Sequence, residues 1–133
     1  MLRLTKRADY GLIAIHYIAF HQGDGIVNTR KIAEEFNIPV ELLAKILQRM
    51  AKRGLIVSQN GPKGGYLLAR APDRITVGEV IRAIEGPVNI VSCYQTPTCP
   101  QMTRCSLRHP VRKIQDSITR FLDEMTLTEM NAN

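Results

Sequence analysis

Residues 28–69 read NTRKIAEEFNIPVELLAKILQRMAKRGLIVSQNGPKGGYLLA, and their first half predicts two short helices. Asn28 or Thr29 can cap the first helix, and Pro39 suits the first turn of the second. The second helix carries apolar residues at the i, i+3, i+4, i+7 spacing of one buried face, namely Leu43, Ile46, Leu47 and Met50. Gly54 then ends it. Two helices joined by so short a connection predict a helix-turn-helix.

Two β-prone segments follow this pair of helices. Residues 55–59 and 66–69 favour strands, and the intervening NGPKGG is a turn. A hairpin directly after the second helix predicts a winged helix whose glycine-rich tip can approach a phosphodiester closely. A phosphate loop for nucleotides is disfavoured, because the G-x-x-x-x-G-K-S/T pattern is absent and no helix opens after the turn.

The remaining sequence is helical apart from one irregular segment. A first helix is expected over about residues 6–21, and Thr76-Val77-Gly78-Glu79 is a capping box for a fourth helix. Apolar residues then recur at spacings of 4, 3, 4, 3 and 4 near the end: Leu107, Val111, Ile114, Ile118, Phe121 and Met125. Such a seam favours a two-fold dimer interface, which a reader of palindromic DNA needs.

These patterns define the expected architecture. The fold class is mainly α with a small β-hairpin, a winged helix-turn-helix domain plus a long C-terminal dimerisation helix. We expect the DNA-binding domain over residues 1–85, a cysteine-bearing loop over residues 86–106, and the dimerisation helix and tail over residues 107–133.

Size and charge limit the function classes. The 133 residues (15.0 kDa) suit one domain, and the +6 net charge lies wholly in residues 1–75, which hold 12 basic and 6 acidic side chains. Localised basic charge is typical of a nucleic-acid surface, although a solvated face has the same composition. With neither a secretory signal stretch nor a membrane-spanning apolar run, we expect a small cytoplasmic domain that binds no membrane.

The three cysteines, Cys93, Cys99 and Cys105, follow a Cys-x5-Cys-x5-Cys spacing. An odd number clustered in 13 residues favours metal ligation over disulfides or inert thiols. Structural zinc usually has four ligands and closer Cys pairs, whereas an iron–sulfur cluster tolerates wider loops. Three thiolates leave one position open. Asp9 and His109 are candidates for it, with ordinary alternatives as a first-turn carboxylate and a surface residue.

Five segments together resemble the Rrf family of bacterial winged-helix regulators. They are residues 4–10, the wing at 61–68, residues 76–81, the three-cysteine loop, and residues 126–130. The resemblance covers essentially the whole chain. It implies a homodimeric transcription factor, most often a repressor, whose operator affinity is set by a 2Fe–2S or 4Fe–4S cluster.

The resemblance also implies roles for particular residues. Cys93, Cys99 and Cys105 match the cluster ligands, and the last long helix matches the dimer interface. One branch of the family has a His three residues after the last Cys, where this chain has Arg108. The nitric-oxide-sensitive branch resembles this chain at Asp9, which there is supplied by the partner subunit. Asp9 of the partner subunit, His109, and water or a small thiol therefore remain alternative fourth ligands.

Resemblance and side-chain chemistry predict the same DNA-binding surfaces. Base edges in the major groove would be read from the exposed side of the recognition helix, by Glu41, Lys45, Gln48 and Arg49. The start of the preceding helix would meet backbone phosphates through Thr29 and Arg30. Asn60 and Lys63 at the wing would meet the adjacent groove.

The leading hypothesis is a regulator that senses iron–sulfur status, nitric oxide or oxidative stress through the cluster. The alternative is a cluster-free winged-helix regulator that responds to thiol oxidation, zinc or a partner protein. A small redox enzyme is disfavoured because the cysteines lack the Cys-x-x-Cys spacing. No Ser/His/Asp or paired-carboxylate pattern supports hydrolysis, so the sequence predicts a protein that is not an enzyme.

Overall fold

The structure is a computed structural model that describes residues 4–21, 23, 25–59, 64–87 and 108–130, with side chains from residue 110 onward in the last range. Within them, the helices α1 to α6 are Lys6–Phe20, Thr29–Phe36, Val40–Lys52, Val77–Glu85, Arg108–Glu124 and Leu127–Met130. Strands β1 and β2 are Ile56–Gln59 and Gly65–Leu68. The prediction of a mainly α fold with a small hairpin is confirmed.

The helix-turn-helix forms as its caps and periodicity predict. The Asn28 side chain accepts a hydrogen bond from the Arg30 amide and starts α2, and Asn37 ends that helix in the left-handed region. Pro39 directly precedes α3, whose residues Leu43, Ile46, Leu47 and Met50 are all buried. The apolar face of α3 therefore packs into the core and leaves its opposite face on the surface.

The hairpin follows α3 with one unpredicted addition. β1 and β2 pair antiparallel from Ile56 opposite Leu68 to Gln59 opposite Gly65. Val27, just before α2, forms an isolated bridge with Tyr66 on the other edge of β2, where the Tyr66 amide donates to the Val27 carbonyl at 2.9 Å. This bridge attaches the wing to the start of the helix-turn-helix.

Helices α1 and α4 form the support behind α3. Thr5 caps α1, and the predicted capping box at Thr76 starts α4, with hydrogen bonds in both directions between Thr76 and Glu79. Gly11 permits the close approach of α1 and α4, because a Cβ there would collide with the side chain of Ile84. The two helices thereby fix where the end of α4 meets the start of α1.

The C-terminal helices return to this support. Arg82 of α4 forms an ion pair with Asp123 of α5 at 2.6 Å. Beyond α5, the Val77 amide donates to the Met125 carbonyl, and the Leu127 amide donates to the Ile75 carbonyl. The Leu127 side chain is completely buried in the main core. The chain after α5 is thus built into the same core as the winged helix.

Candidate nucleic-acid interface

The outward face of α3 is a polar stripe formed by Glu41, Lys45, Gln48 and Lys52. These residues stand at i, i+4, i+7 and i+11, so they share one side of the helix. All four are exposed, and the buried residues lie on the opposite side. A stripe of this kind offers acceptors at Glu41 and the Gln48 amide oxygen, and donors at the lysines and the Gln48 amide nitrogen, to base edges in a major groove. We call these four residues the recognition stripe.

Arg49 lies on a flank of α3 beside the recognition stripe. Its Nη1 atom donates to the Ile84 carbonyl oxygen at 2.8 Å, next to the end of α4. A cation at a helix C-terminus interacts favourably with the helix dipole. The structure therefore gives Arg49 a contact within the protein, and its predicted contact with bases stays a prediction.

The start of α2 presents the two residues that were predicted to meet phosphates. Arg30 is exposed and Thr29 is half-buried in its first turn. The first amides of a helix have no partners within the helix, and among the described contacts of this turn the Arg30 amide is capped by Asn28 Oδ1 at 2.6 Å. An anion at this end of α2 could accept hydrogen bonds from the amides of Thr29 and Lys31 and would also meet the positive charge of Arg30.

Asn60 and Lys63, the predicted wing contacts, lie outside the described residues. The strands that lead to and from them are described. Val57 of β1 is 42% exposed although it is apolar. The hairpin therefore projects from the body of the protein, with only Ile56 of β1 buried.

The predicted cluster ligands are only partly within the structure. Cys93, Cys99, Cys105 and the side chain of His109 lie outside the described residues. Asp9 is described: it is exposed in the first turn of α1, and its carboxylate has no hydrogen-bond or ion-pair partner within the described ranges. The described ranges contain no group of three or more potential metal ligands.

Contacts near Asp9 join the start of α1 to the end of α4. Thr5 Oγ1 donates to Glu85 Oε1 at 2.8 Å, and Arg7 Nε lies 3.2 Å from the same oxygen. The segment expected to carry the cysteines, residues 86–106, begins directly after Glu85. The first turn of α1, which carries the exposed carboxylate of Asp9, is therefore joined to the end of α4, where that segment starts.

Helix α5 has an apolar side that the described part of the chain leaves exposed. Phe121 is 61% exposed and Ile114 is 51% exposed, although both belong to the predicted seam. Gln115 is buried and Leu122 packs against the core, so that side of α5 faces the protein. Apolar residues of this size at helical spacing on the surface are typical of an interface.

The structure also brings together basic residues that the sequence analysis did not assign to the site. Arg7, Lys52, Arg53 and Arg82 join Arg49 around one open cleft. Arg49, Lys52 and Arg53 stand at i, i+3 and i+4 of α3 and its C-cap, whereas Arg7 of α1 and Arg82 of α4 join them only through tertiary packing. Lys52 carried a second signal, because it stands seven residues after Lys45 on the same helix face.

The whole chain matches a known family. The model of the Rrf2 family, described as iron-dependent transcriptional regulator, matches residues 4–133. The chain belongs to the Rrf2 family. This family assignment confirms the resemblance seen in the sequence.

Three named proteins are similar to this Rrf2-family chain over almost its whole length. It is 35% identical over 132 residues to the HTH-type transcriptional regulator IscR of Erwinia tasmaniensis, covering 99% of this chain and 80% of that protein. The structure of CymR, the global cysteine regulator of B. subtilis, matches with a TM-score of 0.83 and 29% identity, over 99% of this chain and 98% of that one. The structure of T. potens IscR matches with a TM-score of 0.77 and 31% identity, covering 97% and 85%.

The chain is thus a transcriptional regulator of the Rrf2 family with a winged-helix fold. Its relatives are named as regulators and not as enzymes. No helix in the described ranges is both long and apolar enough to cross a membrane. The matched structures of this family carry the names IscR and CymR.

Proposed function

We propose that this protein is a dimeric repressor that binds a palindromic operator and whose DNA affinity is controlled by an iron–sulfur cluster. The observation that carries the DNA-binding part is the exposed recognition stripe of α3, directly opposite a fully buried face. A helix held in this way can enter the major groove as a rigid body. Because its target is chromosomal DNA, we place the protein in the bacterial cytoplasm.

Each surface has its own part in binding. Lys45 and Gln48 donate to base edges and Glu41 accepts from a cytosine amine. Thr29 and Arg30 meet a backbone phosphate at the start of α2, and Arg49 secures α3 against the end of α4. Asn60 and Lys63 belong to the wing contact as the sequence predicts.

The dimer sets the spacing of the two recognition helices. Its support is the apolar side of α5 that the described residues leave exposed, where Ile114 and Phe121 are the most exposed members. Two copies of this side would bury each other around a two-fold axis. Such an axis matches a palindromic operator.

The cluster would be held by Cys93, Cys99 and Cys105 with one further ligand, and it supplies a redox-active and nitric-oxide-reactive centre when bound. These donors fit the group, since thiolates are its usual ligands. Asp9 of the partner subunit fits the fourth position, because the Asp9 carboxylate of each chain is exposed and has no partner among the described residues. Either 2Fe–2S or 4Fe–4S suits this donor set, and His109 is the alternative fourth ligand.

The first turn of α1 gives this arrangement a route to the DNA-binding surface. Asp9 is in the same helix as Gly11, which packs against Ile84 of α4, and the Ile84 carbonyl holds Arg49 of α3. Binding or loss of the cluster at Asp9 would therefore strain the contact between α1 and α4. This contact orients α3. A local change at the cluster site would thereby change the orientation of the recognition helix α3.

A cluster-free regulator is the second candidate, and the close structural match to CymR, the global cysteine regulator of B. subtilis, favours it. In that case the same winged-helix dimer would respond to thiol oxidation, zinc or a partner protein. The DNA-binding surfaces are identical in the two proposals, so the metal content of the protein separates them.

The DNA-binding part is tested on α3. A duplex is selected from a random-sequence library by the wild-type protein, and affinities are then measured by fluorescence anisotropy. Lys45→Ala should weaken binding at least about fivefold, as expected from the roughly 1–3 kcal/mol of a base contact. Lys113→Ala, an exposed lysine of α5, is the matched control and should bind like the wild type. Equal affinity of Lys45→Ala and wild type would remove the recognition stripe from the interface.

The cluster part is tested on protein purified without oxygen. We expect visible absorption near roughly 400 nm with iron and acid-labile sulfide in equal amounts, at two or four per chain. Asp9→Ala should shift the spectrum and speed the loss of iron in air, whereas Asp116→Ala, another exposed carboxylate, should not. A colourless protein after reconstitution would favour the cluster-free candidate, and an unchanged Asp9→Ala spectrum would move the fourth ligand to His109.

A further inference from the structure

An open cleft of about 450 Å³ lies where α1, α3 and α4 meet. Its charged lining consists of five cations and one carboxylate: Arg7, Arg49, Lys52, Arg53, Arg82 and Glu85. The local charge is therefore strongly positive. Like charges this close are costly unless something compensates them.

Contacts within the protein compensate only part of this charge. Arg7 pairs with Glu85 at 3.2 Å, Arg82 pairs with Asp123 at 2.6 Å, and Arg49 donates to a carbonyl oxygen of α4. The side chains of Lys52 and Arg53 are exposed and have no ion-pair or hydrogen-bond partner among the described residues. Two of the five cations that line the cleft are thus available to an external anion.

The position of the cleft relates it to the recognition stripe. Lys52 belongs to both, and it lies about 10 Å along the helix axis from Lys45, at 1.5 Å per residue. The major groove is about 12 Å wide, and phosphates form both of its edges. With Lys45 at the base edges, Lys52 and Arg53 would lie close to the phosphates of a DNA strand at the edge of the groove.

The shape and chemistry of the cleft favour a phosphate that belongs to a polymer. Sites for small molecules enclose most of the ligand and are mainly apolar, whereas this cleft is open and mainly charged. An open basic surface gains affinity when other contacts already hold the ligand beside it. Bound duplex DNA meets that condition on the adjacent stripe.

We propose that this cleft binds a backbone phosphate of the DNA at the edge of the groove occupied by α3, with Arg53 and Lys52 as its direct contacts. Arg49 and Arg82 line the same cleft and add positive potential behind them. The contact carries no base information and adds affinity and register. This inference rests on the proposed DNA-binding function and extends the interface beyond the helix-turn-helix and the wing.

The test is the salt dependence of binding to the duplex selected by the wild-type protein. Each phosphate contact contributes about 0.9 to the slope of log K against log salt concentration. Arg53→Ala should lower the magnitude of this slope by about that amount, and Arg53→Lys should restore most of it. Arg120→Ala removes the same charge from an exposed position on α5 and should leave the slope unchanged.

The outcomes separate the cleft from the rest of the interface. A wild-type slope for Arg53→Ala, or an equal loss for Arg120→Ala, would overturn the phosphate contact while leaving α3 as the reading helix. A wild-type protein that selects no duplex would overturn the proposed function and the cleft together. Circular dichroism and urea unfolding of each variant verify the fold, which the exposed Arg53 side chain does not support through any described contact.

Discussion

Gly65, the first residue of β2, shows how one missing side chain positions the wing. A Cβ at this residue would lie 2.8 Å from the carbonyl carbon of Val27 and would also meet the side chain of Ile26. The obstacle is largely backbone, which cannot rotate away as a side chain can. Glycine is therefore required where β2 passes the segment before α2.

Gly65→Ala should accordingly destabilise the protein by about 1–3 kcal/mol, the usual range for overpacking. The measurement is urea unfolding followed by circular dichroism at one protein concentration. Gly23→Ala is the matched control, because a Cβ there meets nothing within 4 Å, and its effect should stay within about 0.5 kcal/mol. An unchanged urea midpoint for Gly65→Ala would mean that β2 does not lie against Val27.

Helix α3 has three distinct sides, and each has a different environment. One side is buried in the core, one forms the recognition stripe, and the flank at Arg49 faces the end of α4. The buried side and the stripe were predictable, because both follow from the 3.6-residue period of the helix. The third side was not, since the carbonyl of Ile84 is 35 residues away along the chain.

Helix α5 likewise divides its apolar residues between two partners. The seam of six residues predicted one continuous interface, whereas the structure packs Met125 against the core and leaves Ile114 and Phe121 largely exposed. Regular spacing shows that residues share a side of a helix but does not show what covers it. The exposed part is the surface available to a second copy.

Phe121→Glu should convert a dimer into a monomer, because a carboxylate would replace apolar contact at the centre of that surface. Burying a Phe is worth about 1.5–3 kcal/mol, so the dissociation constant of the dimer should rise at least about tenfold. Analytical ultracentrifugation over a concentration series measures it. Arg112→Glu, a larger change of charge at an exposed position on the opposite side of α5 from Phe121, should leave the dimer intact. A monomeric wild type, or a dimeric Phe121→Glu variant, would rule out this interface.

Taken as a whole, the molecule is one core with its functional surfaces at the edges. The segment after α5 returns to α4, so that Leu127 is buried as deeply as Ile15 or Ile32 of the helices at the start of the chain. Hydrogen bonds from Val77 and Leu127 close this return. A C-terminal element therefore supports the same helices that hold the recognition stripe in place.

The sequence by itself determined the local elements and the family. The caps at Asn28 and Thr76 and the apolar periodicity of α3 act over a few residues, so they can be read along the chain and the structure reproduces them. The family resemblance is confirmed over residues 4–133. The ligand set of Cys93, Cys99 and Cys105 remains a prediction of the sequence.

Tertiary packing decided everything that depends on distant segments meeting. The basic cleft forms only where α1, α3 and α4 meet, and the wing contact forms only because Val27 lies beside β2. The packing of α5 against α4 determines which side of α5 stays exposed. Each of these joins residues that are distant along the chain, such as Arg7 and Glu85 in the cleft and Val27 and Tyr66 at the wing. Their juxtaposition follows from how the helices fill a common core, and such packing is a property of the whole chain.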